Sequence, residues 1–465
     1  MITGNTWKIA VLAFLSTFFY ACTPTNQEPV KGLEAVAAEH LEPLLAEKKL
    51  AGAAVLVVKG EEVLLDKAWG YADLEWEVPM TTGANFEIGS VTKQFTAAAI
   101  LKLAEEGKLS LADDMSKFFP DFDTRGYQVS VRQLLDHTSG IQGYTESPVF
   151  GELVTRKLPR DTLLTLMEAA GFQFAPGTAQ IYNNTAYFML GLIIEQLSGT
   201  TYENYLDSVF FKPLGMTNTY YCSESKIIPL KAHGYDGRPD GLIHKGYLDH
   251  TWPYAAGSLC STTADLVKWS RALHRDGKVL SAESYQEMIT PMPLSDGTPQ
   301  DYALGLMVWN VDGVPVIEHG GGINGFLSDM KYLPEQDIVV VALLNTAAAP
   351  GPGALTRKLL LDLVTFDNFQ PAALDLDPAT LAGKYSGVAR GGDIAIEVTP
   401  VGEKLVVGSG GPQRDTFSYA GNQTWVNPVQ GSSDDKLTFT TAADGSTTAS
   451  WASGAARNFF KKNQE

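Results

Sequence analysis

Ser90 and Lys93 stand three residues apart in FEIGSVTKQFTAAAILKLAEEG, at the mouth of an apolar, alanine-rich stretch with helical spacing. A hydroxyl is a weak nucleophile until a neighbouring base shares its proton. On a helix a lysine at i+3 shares the serine's face. The helix start adds unpaired N–H groups and a positive dipole end, both suited to an oxyanion. The chemistry would be acyl transfer through a serine ester. Spacing alone does not establish it, because Ser223 and Lys226 repeat the pattern in the polar string CSESKIIPL.

Two further strings carry the parts a serine nucleophile needs. In PGTAQIYNNTAYFMLG, Tyr182 and Asn184 sit on a loop just before an apolar helix. A tyrosine there can act as base if a lysine cation lowers its pKa, and Asn184 can bind a substrate carbonyl or fix Lys93. In VIEHGGGINGF a strand delivers His319 and then Gly320, Gly321 and Gly322. Glycines allow a substrate backbone to come close, and the N–H near Gly322 is a candidate second oxyanion donor. Each string also has a plain structural reading: a helix-edge aromatic, a strand-end histidine, a glycine turn. Decoys exist in Tyr202-Glu203-Asn204 and His244-Lys245-Gly246. Only the candidates run in the order Ser, Tyr, His, each beside an element able to aim it.

That ordered set resembles the serine β-lactamase and penicillin-binding-protein-like hydrolases, a family with class C β-lactamases, D,D-carboxypeptidases, D-aminopeptidases and family VIII esterases. The resemblance spans roughly residues 35–365. It includes GYADLEWEVPMTTGANFEIGSVTKQFTAAAILKLAEEGKLSL, VSVRQLLDHTSGI, FAPGTAQIYNN, FKPLGMTNT, AAGSLCSTTADLVKW and EHGGGINGFLSDMKYLPE. It implies Ser90 as the acylated nucleophile, Lys93 as its proton partner and Tyr182 as general base, then acid. It implies Asn184 as a ligand of the substrate amide and His319 with Gly321 as the third motif. His137, in LLDHTSGI, resembles a structural turn of the family and is expected to be scaffold. No G-x-S-x-G string supports a nucleophile elbow.

The third motif departs from the Lys-Thr-Gly of related enzymes. His319 is mostly neutral near pH 7 and Gly320 has no hydroxyl, so carboxylate recognition is weakened unless another residue supplies it. An esterase or aminopeptidase-like amidase is therefore expected ahead of a D,D-carboxypeptidase or β-lactamase. A penicillin-binding sensor without turnover is the third reading.

Around these residues the pattern predicts an α+β domain. A helix in GLEAVAAEHLEPLLAEKKL precedes a hairpin turning near Gly60-Glu61. The middle third is mainly helical, and strands return in YALGLMVWNVDG, VPVIEHGG, FLSDMKYLP and DIVVVALLN. The predicted architecture is an antiparallel sheet flanked by helices, closed by both ends of the chain, with a helical subdomain. FDNFQPAALDLDPATL reads as a linker, and the strand- and glycine-rich tail as a small C-terminal barrel or sandwich. The expected divisions are a signal peptide over 1–22, a tether over 23–33, the hydrolase domain over 34–367 and the β domain over 378–465.

The 465 residues carry a net charge of −18. Nucleic acid and anionic membrane surfaces, which reward basic patches, are not expected partners. The expected partner is a small ester, amide or D-amino-acid peptide. Lys8 and the apolar run IAVLAFLSTFFYA read as a secretory signal. Ala21-Cys22 and the polar string after it resemble a bacterial lipoprotein signal, departing at Phe19 and Tyr20, with Cys22 as the lipidated residue. Export to the periplasm or cell envelope follows. Cys222 and Cys260 are open to pairing or to burial as thiols. The histidines show no metal-ligand spacing, so neither metal nor cofactor is expected.

Overall fold

The computed structural model describes residues 32–463, apart from 224, 312–313, 349, 365–370, 391, 412–413, 428–434, 443–444 and 454–455. The signal peptide, Cys22 and nearly all of the tether lie outside the described residues.

The sheet grows from two strands whose sequences are apolar without alternation. β1 (Gly52–Lys59) pairs antiparallel with the Ile338–Leu344 strand, Ala53 opposite Leu344 and Lys59 opposite Ile338. Ala54, Leu56 and Val58 face one core with Val339, Val341 and Leu343; Ala53, Val55 and Val57 face a second core with Val340, Ala342 and Leu344. Burial on both faces is why these strands read as continuous hydrophobic runs. β2 (Glu62–Asp73) follows β1 through the expected hairpin and carries the short outer strand Val78–Pro79. On the far side lie Phe326–Leu333, Val314–Ile323 and Met307–Val311, completing a seven-stranded antiparallel sheet closed by early and late segments.

Helices cover both faces. α1 (Leu33–Ala46) and the Pro352–Leu363 helix bury Ala37, Leu41, Leu355 and Leu359 on one side. α2 (Thr92–Glu105), the Asn184–Ser198 helix and the Thr263–Ser270 helix fill the other. α2 is buried on every side from Thr92 to Leu101, and its alanines let neighbouring helices approach closely. The fold is α+β, as expected.

The tail is a closed eight-stranded antiparallel barrel. Each strand pairs with the next from Gly383–Ala389 onward, and the last, Ala456–Lys462, returns to the first. Tyr385, Leu405, Phe417, Trp425, Leu437 and Phe460 fill the interior. Between the two expected forms, barrel or sandwich, the tail adopts the barrel. Cys222 and Cys260, Cα atoms 5.4 Å apart, form a disulfide.

Candidate active site

Ser90 is not on α2 itself. It occupies a single 3-10 turn, Gly89–Val91, that leads into α2 and leaves its side chain partly exposed. Gly89 takes φ +50°, and a Cβ there would lie 2.9 Å from the backbone of Gly322. The turn is tied to the sheet by Ser328 Oγ donating to the Ile88 carbonyl at 2.8 Å. Just before it, buried Glu87 faces Lys245 Nζ at 2.5 Å and Lys231 Nζ at 3.2 Å. Burial would raise its carboxyl pKa, but His250, Lys245 and Lys231 outweigh that and hold it well below the usual range.

Lys93, in the first turn of α2, is completely buried. Its Nζ donates to Ser90 Oγ at 3.1 Å, Asn184 Oδ1 at 2.9 Å and the Ala256 carbonyl at 2.8 Å. Burial, and then the charge of Arg390, hold its pKa well below the ordinary lysine range. The Asn184–Ser198 helix positions its partner: Asn183 caps that helix by accepting from Ala186 N–H, which leaves Asn184 free to face the cleft.

The Tyr182 ring lies 4.7 Å from Lys93 Nζ. Its hydroxyl is buried and makes no hydrogen bond within the described structure. Burial raises its pKa above the usual tyrosine range; the nearby Ser90 side chain and Arg390 offset only part of this. The expectation that a lysine cation acidifies Tyr182 therefore does not describe the free site. Dehydration acts on both groups and favours a neutral amine beside a neutral phenol.

His319 is 1% exposed. Its Nδ1 donates to the Gly320 carbonyl at 2.5 Å, which leaves Nε2 to accept from the Tyr302 hydroxyl at 2.9 Å. Burial, then the Lys93 charge, push its pKa down to about 3, so the ring is neutral at working pH. Gly321 sits where no side chain fits: a Cβ would lie 2.2 Å from the Ile88 carbonyl oxygen and 2.3 Å from Ser328 Oγ. Gly322 is less constrained, its nearest neighbour being Leu327 Cδ2 at 3.4 Å.

His137 is buried with φ +64° and accepts the Asn183 N–H on Nδ1 at 3.1 Å, its ring 4.4 Å from that of Tyr182. It is placed as scaffold behind the tyrosine. The decoys are elsewhere. Lys226 packs over Tyr220, the Tyr202 hydroxyl bonds Thr96, and exposed His244 pairs with Glu75.

Sequence reasoning missed one residue entirely. Arg390 follows the first barrel strand, and its guanidinium lies 5.5 Å from the Tyr182 ring. Nε donates to Glu146 Oε1 at 2.5 Å and Nη2 to Thr145 Oγ1 at 3.0 Å. Thr145 Oγ1 also accepts from Asn184 Nδ2 at 3.4 Å. Nothing in its local sequence marks it, since a separate barrel carries it across.

Comparison with known proteins identifies the family of the chain. Residues 37–365 match the Beta-lactamase family model. A D-aminopeptidase of Gluconobacter oxydans is 28% identical over 76% of this chain and 66% of its own length. Penicillin-binding protein 4* of Bacillus subtilis is 30% identical over 65% of this chain and 70% of its own. The chain spans about two thirds of the length of the curated relatives it matches. An octameric penicillin-binding protein homologue from Pyrococcus abyssi superposes with a TM-score of 0.64 at 26% identity, covering 92% of this chain and 100% of the other. The D-amino acid amidase of Ochrobactrum anthropi, in complex with L-phenylalanine amide, gives 0.61 at 27%, covering 72% and 99%. The family model covers well over half of the residues and brackets every element of the cleft except Arg390: this chain belongs to the beta-lactamase family.

Proposed function

We propose that the protein is an exported serine hydrolase that cleaves amides or esters of D-amino acids and short D-peptides through an acyl-enzyme on Ser90. The observation that carries this reading is the dehydrated Lys93 amine, 3.1 Å from Ser90 Oγ and fixed by two other acceptors. In its neutral form it takes the Ser90 proton as Oγ bonds to the substrate carbonyl carbon. Tyr182, a neutral phenol, gives its proton to the leaving nitrogen or oxygen as that bond breaks, and Lys93 returns a proton to Tyr182. Water then releases the acyl group by the reverse transfers. Asn184 binds the acyl-side carbonyl, and the backbone of the Ser90 turn and the Gly321–Gly322 strand edge stabilises the oxyanion.

The D-aminopeptidase and D-amino acid amidase relatives support the substrate class. The Cys222–Cys260 disulfide supports an oxidising compartment, and Cys22 is the proposed lipid anchor. Turnover of D-phenylalanine amide exceeding that of the L-enantiomer, and lost in Ser90→Ala, is expected. Preference for the L-amide, or activity retained without Ser90, overturns the reading.

A further inference from the structure

The cleft has an electrostatic gap where related sites place a lysine. His319 stands in the third motif, buried, neutral, with both ring nitrogens engaged. Lys93 lies below the surface with its Nζ committed to Ser90, Asn184 and Ala256. A cation from outside the family domain lies beside the Tyr182 ring. Arg390 reaches the cleft from the end of the first barrel strand, where the Ala389 carbonyl accepts from Gln173 Nε2 at 2.9 Å. It is close enough to lower the pKa of Lys93, Tyr182 and His137.

We propose that Arg390 receives a carboxylate carried on the acyl half of the substrate, making this barrel hairpin a specificity element of the site. The proposal rests on the Ser90 acyl-enzyme reading. Two contacts fix which half of the substrate is meant. Thr145 Oγ1 accepts from Arg390 and from Asn184, so the guanidinium stands beside the amide that binds the acyl carbonyl. A group there stays attached to Ser90 after the leaving group departs. The guanidinium is already in a carboxylate-binding arrangement, with Glu146 as an internal occupant. Glu146 is largely buried, but the Arg390 side chain is 45% exposed, so the guanidinium keeps a solvent-facing side on which a second carboxylate can be received. The planar fork of arginine suits that role better than an ammonium does.

The test compares 4-nitrophenyl glutarate half-ester, whose acyl chain ends in a carboxylate, with neutral 4-nitrophenyl valerate. The wild-type enzyme should favour the half-ester. Arg390→Gln should lower kcat/KM for the half-ester about tenfold more than for the valerate, the extra loss falling mainly on KM; any change common to both esters reads the guanidinium's effect on Lys93 and Tyr182. Arg390→Lys should retain part of the preference, and Glu146→Gln, by removing the internal competitor, should increase it. An equal effect on both esters, or no wild-type preference, overturns the proposal. So does an Arg390-dependent preference for D-alanyl-D-alanine over its C-terminal amide with none for the half-ester, because that carboxylate leaves with the departing group. Absence of turnover and of any Ser90 adduct with both esters instead removes the acyl-enzyme reading, and this proposal with it.

Discussion

Dehydration drives Lys93, Tyr182 and His319 toward their uncharged forms, with different consequences for each. For Lys93 it creates a base, for Tyr182 it preserves an acid, and for His319 it removes a cation. Because the Tyr182 hydroxyl has no hydrogen-bond partner, Tyr182→Phe deletes an unsatisfied buried group. Its kcat should fall by about 10²- to 10⁴-fold, the usual scale for a general acid–base group, with the melting temperature unchanged or slightly raised. A melting temperature several degrees lower would instead make the hydroxyl structural. Residue types and order were legible here because Ser-x-x-Lys, Tyr-x-Asn and His-Gly-Gly each carry local chemistry. The sense of the Tyr182 shift was not, since it depends on burial contributed by His137 and Tyr302 from distant segments.

At the level of elements, the cleft is a meeting between a helix entrance and a strand edge. Gly321 and the Ser90 turn approach so closely that the third motif's glycine is a packing requirement. Gly321→Ala should abolish activity by prising strand and turn apart, whereas Gly322→Ala, with 3.4 Å of room, should keep a folded protein and measurable turnover. Parallel assays and circular dichroism of the two variants check this, and an equally active Gly321→Ala contradicts it. The strands and helices of the sheet domain were readable from period and from unbroken apolar runs. The 3-10 turn at Ser90 was not, because Gly89 takes its positive φ in answer to Gly322, far along the chain.

Across the whole molecule, His137, His274 and His319 are buried with pKa values pushed down by burial, the latter two to about 3. In the unfolded chain these histidines take up protons below about pH 6.5. At these three histidines the unfolded state binds more protons than the folded one between there and about pH 3, so their contribution to stability is lost as pH falls; buried Asp136, its pKa raised to about 6, opposes the three in part. Calorimetry should show a melting temperature decreasing steadily from about pH 7 to about pH 4.5; a plateau over that range contradicts the buried neutral histidines. Barrel closure was beyond the sequence because it depends on the first strand pairing with the last. The same is true of Arg390, which depends on how the barrel docks.

The measurement that bears most directly on the acyl-enzyme is intact-mass analysis with peptide mapping after exposure to an activated ester. The wild-type protein should gain the mass of one acyl group on the peptide containing Ser90, decaying with time, and Ser90→Ala should gain none. Folded wild-type protein without an adduct, or the same adduct in Ser90→Ala, would contradict a Ser90 nucleophile.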